Sequence, residues 1–205
     1  MAKLLEIHPQ NPHSRSIKQV VDALNSDAVI AYPTDSGYAL GTALGNKSGL
    51  ERIRRIRSLD KHHHFTLMMK DLSHIGEYAK LDNTAFRLLK KILPGAYTFI
   101  LEAARNVPNR LLHPKKKTVG LRVSNHGVVQ AILNGLGEPL MSVSLIIENQ
   151  QFVDIDDVCR VLDKKVDIII DDGYCSPEPT SVIDFSSGTV EVTRFGAGDT
   201  SLIDQ

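Results

Sequence analysis

Residues 31–41, Ala-Tyr-Pro-Thr-Asp-Ser-Gly-Tyr-Ala-Leu-Gly, constrain the fold of this chain more than any other stretch. The apolar run at 28–32 suits a short buried strand. Pro33 cannot donate to a strand ladder, so the strand is expected to end there. Thr34, Asp35 and Ser36 then set three oxygen-bearing side chains in a turn, and Gly37 permits a tight bend or the close approach of a ligand. A second strand follows at 38–43. Read from these residues alone, an ordinary hairpin punctuated by Pro and Gly is the simpler account. The floor of a small-molecule site is the sharper one.

Periodicity places the other elements. Ile17, Val20, Val21 and Leu24 recur at helical spacing and predict an amphipathic helix over about 14–25. Asn46 caps a predicted helix to about residue 57, with Leu50, Ile53 and Ile56 inward and Arg52, Arg54 and Arg55 outward. Strands are expected at 65–69, 97–101, 118–123, 140–144, 166–170, 182–185 and 190–193. Helices are expected from Asp71 to about 78, from Asp82 over 83–92, at 127–136 and from Asp154 to 162. Strands and helices mix without strict alternation. The pattern predicts one α/β domain over 1–205: a mixed, twisted sheet with helices packed on it.

Net charge is zero, yet the charge is polarised along the chain. Residues 47–122 hold 17 Lys and Arg against 6 Asp and Glu, a balance of +11. Residues 148–205 hold 4 against 13, a balance of −9. A basic segment of this size suits phosphate-bearing partners, RNA among them. Mutual neutralisation of the two segments, or solvation of both, is the alternative. Arg52, Arg54, Arg55 and the Lys115-Lys116-Lys117 turn are the RNA-contact candidates.

Several classes are disfavoured. No apolar run approaches the ~18 residues that span a membrane, and no signal-peptide pattern opens the chain. Cys159 and Cys175 form no C-x-x-C and no disulfide framework, as in a reducing cytoplasm. No paired-ligand spacing marks a zinc site. The adjacent His62, His63 and His64 cannot all face one metal and read as a loop. There is no P-loop, dinucleotide glycine run or hydrolase triad signature.

Short motifs recur in a fixed order along the chain. Tyr32-Pro33-Thr34-Asp35-Ser36-Gly37-Tyr38-Ala39-Leu40-Gly41 resembles the Y-P-T-D-T-V-Y-G-L-G signature of the YrdC-like domain family. Residues 94–101 resemble its P-G-x-x-T-x-I-L element, 119–123 its V-G-x-R-V element, and 137–140 its G-x-P-L. Thr180-Ser181-Val182-Ile183-Asp184 resembles S-T-V-I-D, and 194–198 resembles R-x-G-A. The matches span 28–198, and no further appended domain is expected. The resemblance implies an open twisted α/β fold with a concave face. It also implies chemistry: threonine, bicarbonate and ATP, the last with a divalent ion such as Mg, combine into threonylcarbamoyl-adenylate for tRNA modification. No covalent enzyme intermediate and no resident metal are needed, and no catalytic side chain is implied.

Two motifs are broken. Where synthases carry K-x-R, Arg57 stands at the Lys and Leu59 at the Arg. Where they carry S-A-N, the chain has Ser144-Leu145-Ile146. Residues 65–67 also depart from K-P-L. An apolar side chain cannot replace a guanidinium fork or an amide in holding an anion. These departures resemble the YciO branch of the family. The resemblance puts Thr34 and Ser36 at the amino-acid end, Arg57 near the phosphates and Arg122 on a carboxylate or phosphate. It puts Ser142 and Ser144 at the nucleotide end, with Thr180, Ser181 and Arg194 closing over the phosphates. The expected function is cytoplasmic binding of ATP or AMP and of structured or double-stranded RNA (tRNA, rRNA or another duplex), with at most weak synthase activity. A fully active synthase and a non-catalytic RNA-binding protein are the alternatives.

Overall fold

In the computed structural model all residues are described except Lys61, His62, His64, Pro114, Asn149, Tyr174, Leu202, Asp204 and Gln205, together with the side chain of Arg110. Most of the histidine-run reading therefore lies outside the described residues. In chain order the elements are β1 (Lys3–Glu6), α1 (Ser14–Asn25), β2 (Val29–Thr34), β3 (Gly37–Ala43), α2 (Lys47–Arg57) and β4 (Thr66–Met68). There follow α3 (Ile75–Tyr78), α4 (Asn83–Ile92), β5 (Tyr97–Glu102), β6 (Thr118–Arg122), α5 (Gly127–Leu136) and β7 (Leu140–Ser144). The chain continues through β8 (Ile146–Ile147), β9 (Gln150–Gln151), α6 (Ile155–Leu162), β10 (Ile168–Asp171), β11 (Ser181–Asp184) and β12 (Glu191–Arg194).

Among the described residues, ten strands form one mixed sheet in the order β1-β10-β2-β3-β7-β4-β6-β5-β11-β12. The hairpin of β2 and β3 pairs from Val29–Thr42 to Thr34–Gly37, leaving Asp35 and Ser36 as the turn. Gly37 takes a φ of +92°, which a side-chain-bearing residue adopts only under strain. The expectation that β2 ends at Pro33 is corrected: Pro33 pairs with Tyr38 inside the strand. The ladder from β2 to β10 involves Ile30 and Ala31 and stops short of Pro33, so its missing N–H breaks no bond on that side.

Caps explain several helix starts. Asn46 Oδ1 accepts the Gly49 N–H at 2.8 Å, Asp82 Oδ1 accepts that of Ala85 at 2.7 Å, and Asp154 Oδ1 accepts that of Asp156 at 2.8 Å. Asp71 does not open a helix: its carboxylate accepts the Ser73 N–H at 2.8 Å in a turn, and α3 begins only at Ile75. β1 was not anticipated. It is a short, largely exposed edge strand, parallel to β10, and lacks a clean apolar alternation.

The two faces of the sheet carry different loads. On one face Val29, Ala31, Leu40, Leu67, Phe99, Leu101, Val119, Leu121 and Ile183 are buried beneath α2, α4 and α6, which contribute Leu50, Ile53, Leu89, Val158 and Leu162. On the other face Ile30, Tyr32, Ala39, Met68, Ile168 and Ile170 are buried under Val20, Leu24, Val128, Ile132 and Leu133 of α1 and α5. These two helices cover only the β1–β3 side of that face. Over β4, β6, β5 and β11 the same face is open.

Candidate functional site

The open half of the sheet is a concave cavity of about 430 Å3. Its floor follows strand periodicity. Thr66 and Met68 of β4, Thr118, Gly120 and Arg122 of β6, and Thr98 and Ile100 of β5 face into it, as do Val182 and Asp184 of β11 and the preceding Thr180. The intervening Leu67, Phe99, Val119, Leu121 and Ile183 point into the apolar core. Ser142 and Ser144 of β7 form one wall, with Ile146 beyond them. Arg57, His63, His113, Lys116 and Arg194 complete the rim.

The positive groups are built in by specific contacts. Arg122 is 6% exposed. Its Nη2 pairs with Asp35 Oδ1 in the hairpin turn and donates to Thr34 Oγ1 at 3.2 Å. Asp35 Oδ1 also accepts from Ser124 Oγ at 2.7 Å. Thr34 Oγ1 donates to the Gly37 carbonyl at 2.7 Å and accepts the Ser36 N–H at 3.1 Å. The polar turn read from the sequence thus clamps Arg122 at the cavity edge. Thr34 and Ser36 are buried behind that arginine rather than on the cavity wall.

Arg194 is held by Thr180, donating from Nε to its carbonyl at 2.9 Å and from Nη2 to its hydroxyl at 2.8 Å. That hydroxyl also bonds Thr98 Oγ1 at 2.9 Å. Ser181 has its own task outside the cavity lining. It donates to the Gly198 carbonyl at 2.6 Å and accepts the Gly196 N–H at 3.0 Å, clasping the segment after β12 onto β11. A side chain at Gly196 would sit 2.2 Å from the Pro179 carbonyl oxygen, so only glycine allows this approach. Burial holds the Arg194 guanidinium below the usual arginine range, with the charge of Arg122 adding to the effect. Burial lowers Arg57 in the same direction. The Nε atoms of Arg57 and Arg122 are buried and have no hydrogen-bond partner among the described residues.

Ser142 Oγ shares a 2.5 Å hydrogen bond with Tyr32 Oη, and burial pushes the Tyr32 phenol up to about 12. Ser144 is part-buried on the wall. Lys116 lies 4.0 Å from Asp184, on a turn held by N–H bonds from Lys115 and Lys116 to His113 Nδ1 at 3.1 and 3.0 Å. Lys115 and Lys117 are exposed beside it. Leu59 is not on the cavity wall: its side chain packs against the core.

The outward helix face is corrected in part. Arg55 is exposed. Arg54, with a side chain 14% exposed, lies 5.7 Å over the Phe65 ring and pairs with Glu51 at 2.7 Å. Arg52 pairs with Asp167 at 2.7 Å and donates to the Lys165 carbonyl at 2.6 Å. Arg52–Asp167 and Lys116–Asp184 are pairings of the basic middle with the acidic C-terminal third. Residues not singled out from the sequence are Thr66, Thr98, His113, Thr118, Ser124 and Asp184, while Asp35 was read only as part of the polar turn. For Thr98, Thr118 and Asp184 the signal was a polar residue beside the apolar Phe99, Val119 and Ile183 of the same strands; His113 and Ser124 carried no such pattern. Among the described residues no cluster of three or more His, Cys, Asp or Glu is arranged to hold a metal, and no helix is long and apolar enough to cross a membrane.

Comparison with known proteins places this architecture. The Sua5/YciO/YrdC family profile, described as telomere recombination, matches residues 22–196. YciO of Escherichia coli K12 is 47% identical over 201 residues, covering 97% of this chain and 98% of that one. Its crystal structure superposes with a TM-score of 0.95 at 46% identity over 99% of this chain and 100% of that one. Threonylcarbamoyl-AMP synthase of Chromobacterium violaceum is 30% identical over 184 residues, 89% of this chain and 95% of that protein. P. abyssi Sua5, crystallised with L-threonine, shares the fold with a TM-score of 0.86 at 19% identity, over 94% of this chain and 57% of that one. The chain belongs to the Sua5/YciO/YrdC family.

Proposed function

We propose that the concave cavity binds ATP or AMP, with the phosphates against Arg57, Arg194 and Lys116 and an acyl or carboxylate group against Arg122. The observation that carries this reading is the convergence of three guanidinium groups on one open sheet face, two of them with a buried, unpartnered Nε. A buried donor left unsatisfied costs roughly 1–3 kcal/mol, which an anion in the cavity would offset. Asp184 offers an acceptor for a ribose hydroxyl or an ammonium group. Ser142, Ser144, Thr98 and Thr180 offer hydroxyls for orientation.

The synthase relatives point to the reaction such a complex would run. Threonine, bicarbonate and ATP, with its divalent ion, give threonylcarbamoyl-adenylate, pyrophosphate and water. The protein would contribute position and charge neutralisation rather than a covalent step. In this chain that activity is weak at most. Ile146 presents an apolar side chain to the cavity, and Leu59 is turned into the core. Calorimetry with ATP and AMP tests the binding; no heat at millimolar nucleotide would defeat it. Pyrophosphate release at a full synthase rate from ATP, threonine and bicarbonate would favour the active-enzyme alternative.

A second reading adds structured RNA, and with it a cytoplasmic role in tRNA or rRNA modification. Its support is the exposure of Lys115 and Lys117 at the cavity rim and of Arg55 on α2. Contacts would be to the backbone of a duplex, because the deep major groove of A-form RNA is closed to side chains. Binding would then fall steeply with salt. Replacing Arg55, Lys115 and Lys117 with Ala should weaken every duplex alike. Absence of RNA binding by the wild type at low salt would leave nucleotide binding as the whole function.

A further inference from the structure

A second cavity, of about 420 Å3, opens beyond the carboxyl ends of the neighbouring parallel strands β4 and β6. It is separate from the concave site: Met68 and Arg122 line the first cavity, whereas Lys70, Val123, Ser124 and Asn125 line the second. Loops outside the carboxyl ends of parallel strands are where open α/β sheets take ligands. Two lysines, Lys70 and Lys90, reach the cavity from the β4 exit and the last turn of α4. Neither makes an ion pair among the described residues. Asp71, the one carboxylate among the described lining residues, accepts the Ser73 N–H through one oxygen and lies 3.6 Å from His74 Nδ1, so it sets one negative charge against the two lysines. The hydrogen bond and the histidine hold it below the usual carboxylate range, although burial alone would raise it. Gln130 Nε2 donates to the Lys70 carbonyl at 3.0 Å and to the Ser124 carbonyl at 2.6 Å, bracing the two strand exits. Leu72, Leu93, Pro94 and Val123 form an apolar wall.

We infer that this second cavity binds a small organic anion, a phosphate monoester with an apolar body. The phosphate sits between Lys70 and Lys90, the body lies on the Leu72–Leu93–Pro94 wall, and Asn125 and Ser73 supply neutral hydrogen bonds. The volume suits such a molecule, since small-ligand pockets run from roughly 300 to 1,000 Å3. Two ammonium groups and an apolar wall in one recess favour this class over a bare ion, which has no use for the wall. The site is also joined to the first cavity. Ser124, buried behind its wall, bonds Asp35, and Asp35 pairs with Arg122. An occupant of the second cavity therefore lies one residue from that clamp, against the exposed Asn125.

Phenyl phosphate is the probe, titrated into the full-length protein and followed by backbone amide NMR. The expected result is saturable shifts at Ser73, Ser124 and Asn125. They should weaken by at least about tenfold in affinity in the Lys70→Met, Lys90→Met double variant, the loss of about 1.4 kcal/mol that one good charge-assisted contact represents. Shifts confined to the first cavity, or unchanged in the double variant, would overturn the inference. Inorganic phosphate binding as tightly as phenyl phosphate would overturn the organic-anion assignment. If a short RNA duplex alone perturbs these amides, the phosphate source is a nucleic acid backbone and the small-anion inference is wrong. Because the readout is resolved by residue, failure here leaves nucleotide binding in the first cavity standing, and the reverse holds equally.

Discussion

One face of the sheet has two halves built on the same alternation, and they have opposite fates. Over β10, β2 and β3 the facing residues are Ile168, Ile170, Ile30, Tyr32 and Ala39, and α1 and α5 close over them. Over β6, β5 and β11 the facing residues include Thr118, Arg122, Thr98 and Asp184, and among the described residues no helix covers them. Burying apolar area gains roughly 25 cal/mol per Å2, whereas burying unpaired hydroxyls and charges costs free energy. Helices therefore seal the first half, and the second is left as an open cavity lined by polar groups. The boundary runs through Tyr32 and Ser142, one residue from each half joined by a hydrogen bond.

The sharpest way to break this contrast is Arg122→Met. The open half holds one buried charge pair, and removing a partner leaves Asp35 uncompensated; about 3–5 kcal/mol of stability should be lost. Urea unfolding measures this. The double variant Arg122→Met, Asp35→Leu should recover much of the loss; if it does not, the arginine packs rather than pairs.

The closed half should respond through its core. Ile132→Ala, at a position 1% exposed in α5, should cost about 2–5 kcal/mol with nucleotide affinity retained in the folded fraction. An equal effect from Thr98→Val would show that the two halves do not differ.

Arg194→Met should do the reverse, leaving the melting temperature nearly unchanged. Nucleotide affinity, measured by calorimetry, should weaken by roughly 1.5–3 kcal/mol, the worth of a hydrogen bond to a charged group. A smaller gain is expected from Ile146→Asn, which places an amide on the cavity wall. Pyrophosphate release should rise by up to about tenfold, corresponding to about 1.4 kcal/mol of barrier. Adding Leu59→Arg should help less, because Leu59 packs against the core.

A further effect is alkaline. Burial pushes the Cys175 thiol from 9.0 up to about 11 and Tyr32 from 10.0 up to about 12. Both groups hold protons more tightly when folded, so their contribution is complete below the unfolded values and lost as pH rises through the folded ones. The melting temperature should decline from about pH 9 towards 11, less steeply in Cys175→Ala. A flat profile would show that the tip of the β2–β3 hairpin is open to water.

Much of this was legible in the chain. Caps at Asn46, Asp82 and Asp154, helical spacing in α1, and the Pro-Thr-Asp-Ser-Gly turn act through neighbours a few residues away, so local chemistry determined them. The polar Thr98, Thr118, Arg122 and Asp184 beside apolar neighbours were equally present, though their meaning was not, because they have none until β5, β6 and β11 lie side by side. Tertiary structure alone decided that Thr34 and Ser36 stand behind Arg122 and that Ser181 clasps a loop. It also turned Leu59 inward and laid Arg54 on Phe65 while Arg52 spends its charge on Asp167. Each of these depends on a partner brought from elsewhere by the fold, 88 positions away for Thr34 and Arg122 and 115 for Arg52 and Asp167. Sequence settles what a side chain can bond. Which way it faces, and what waits there, is set by the packing of distant segments.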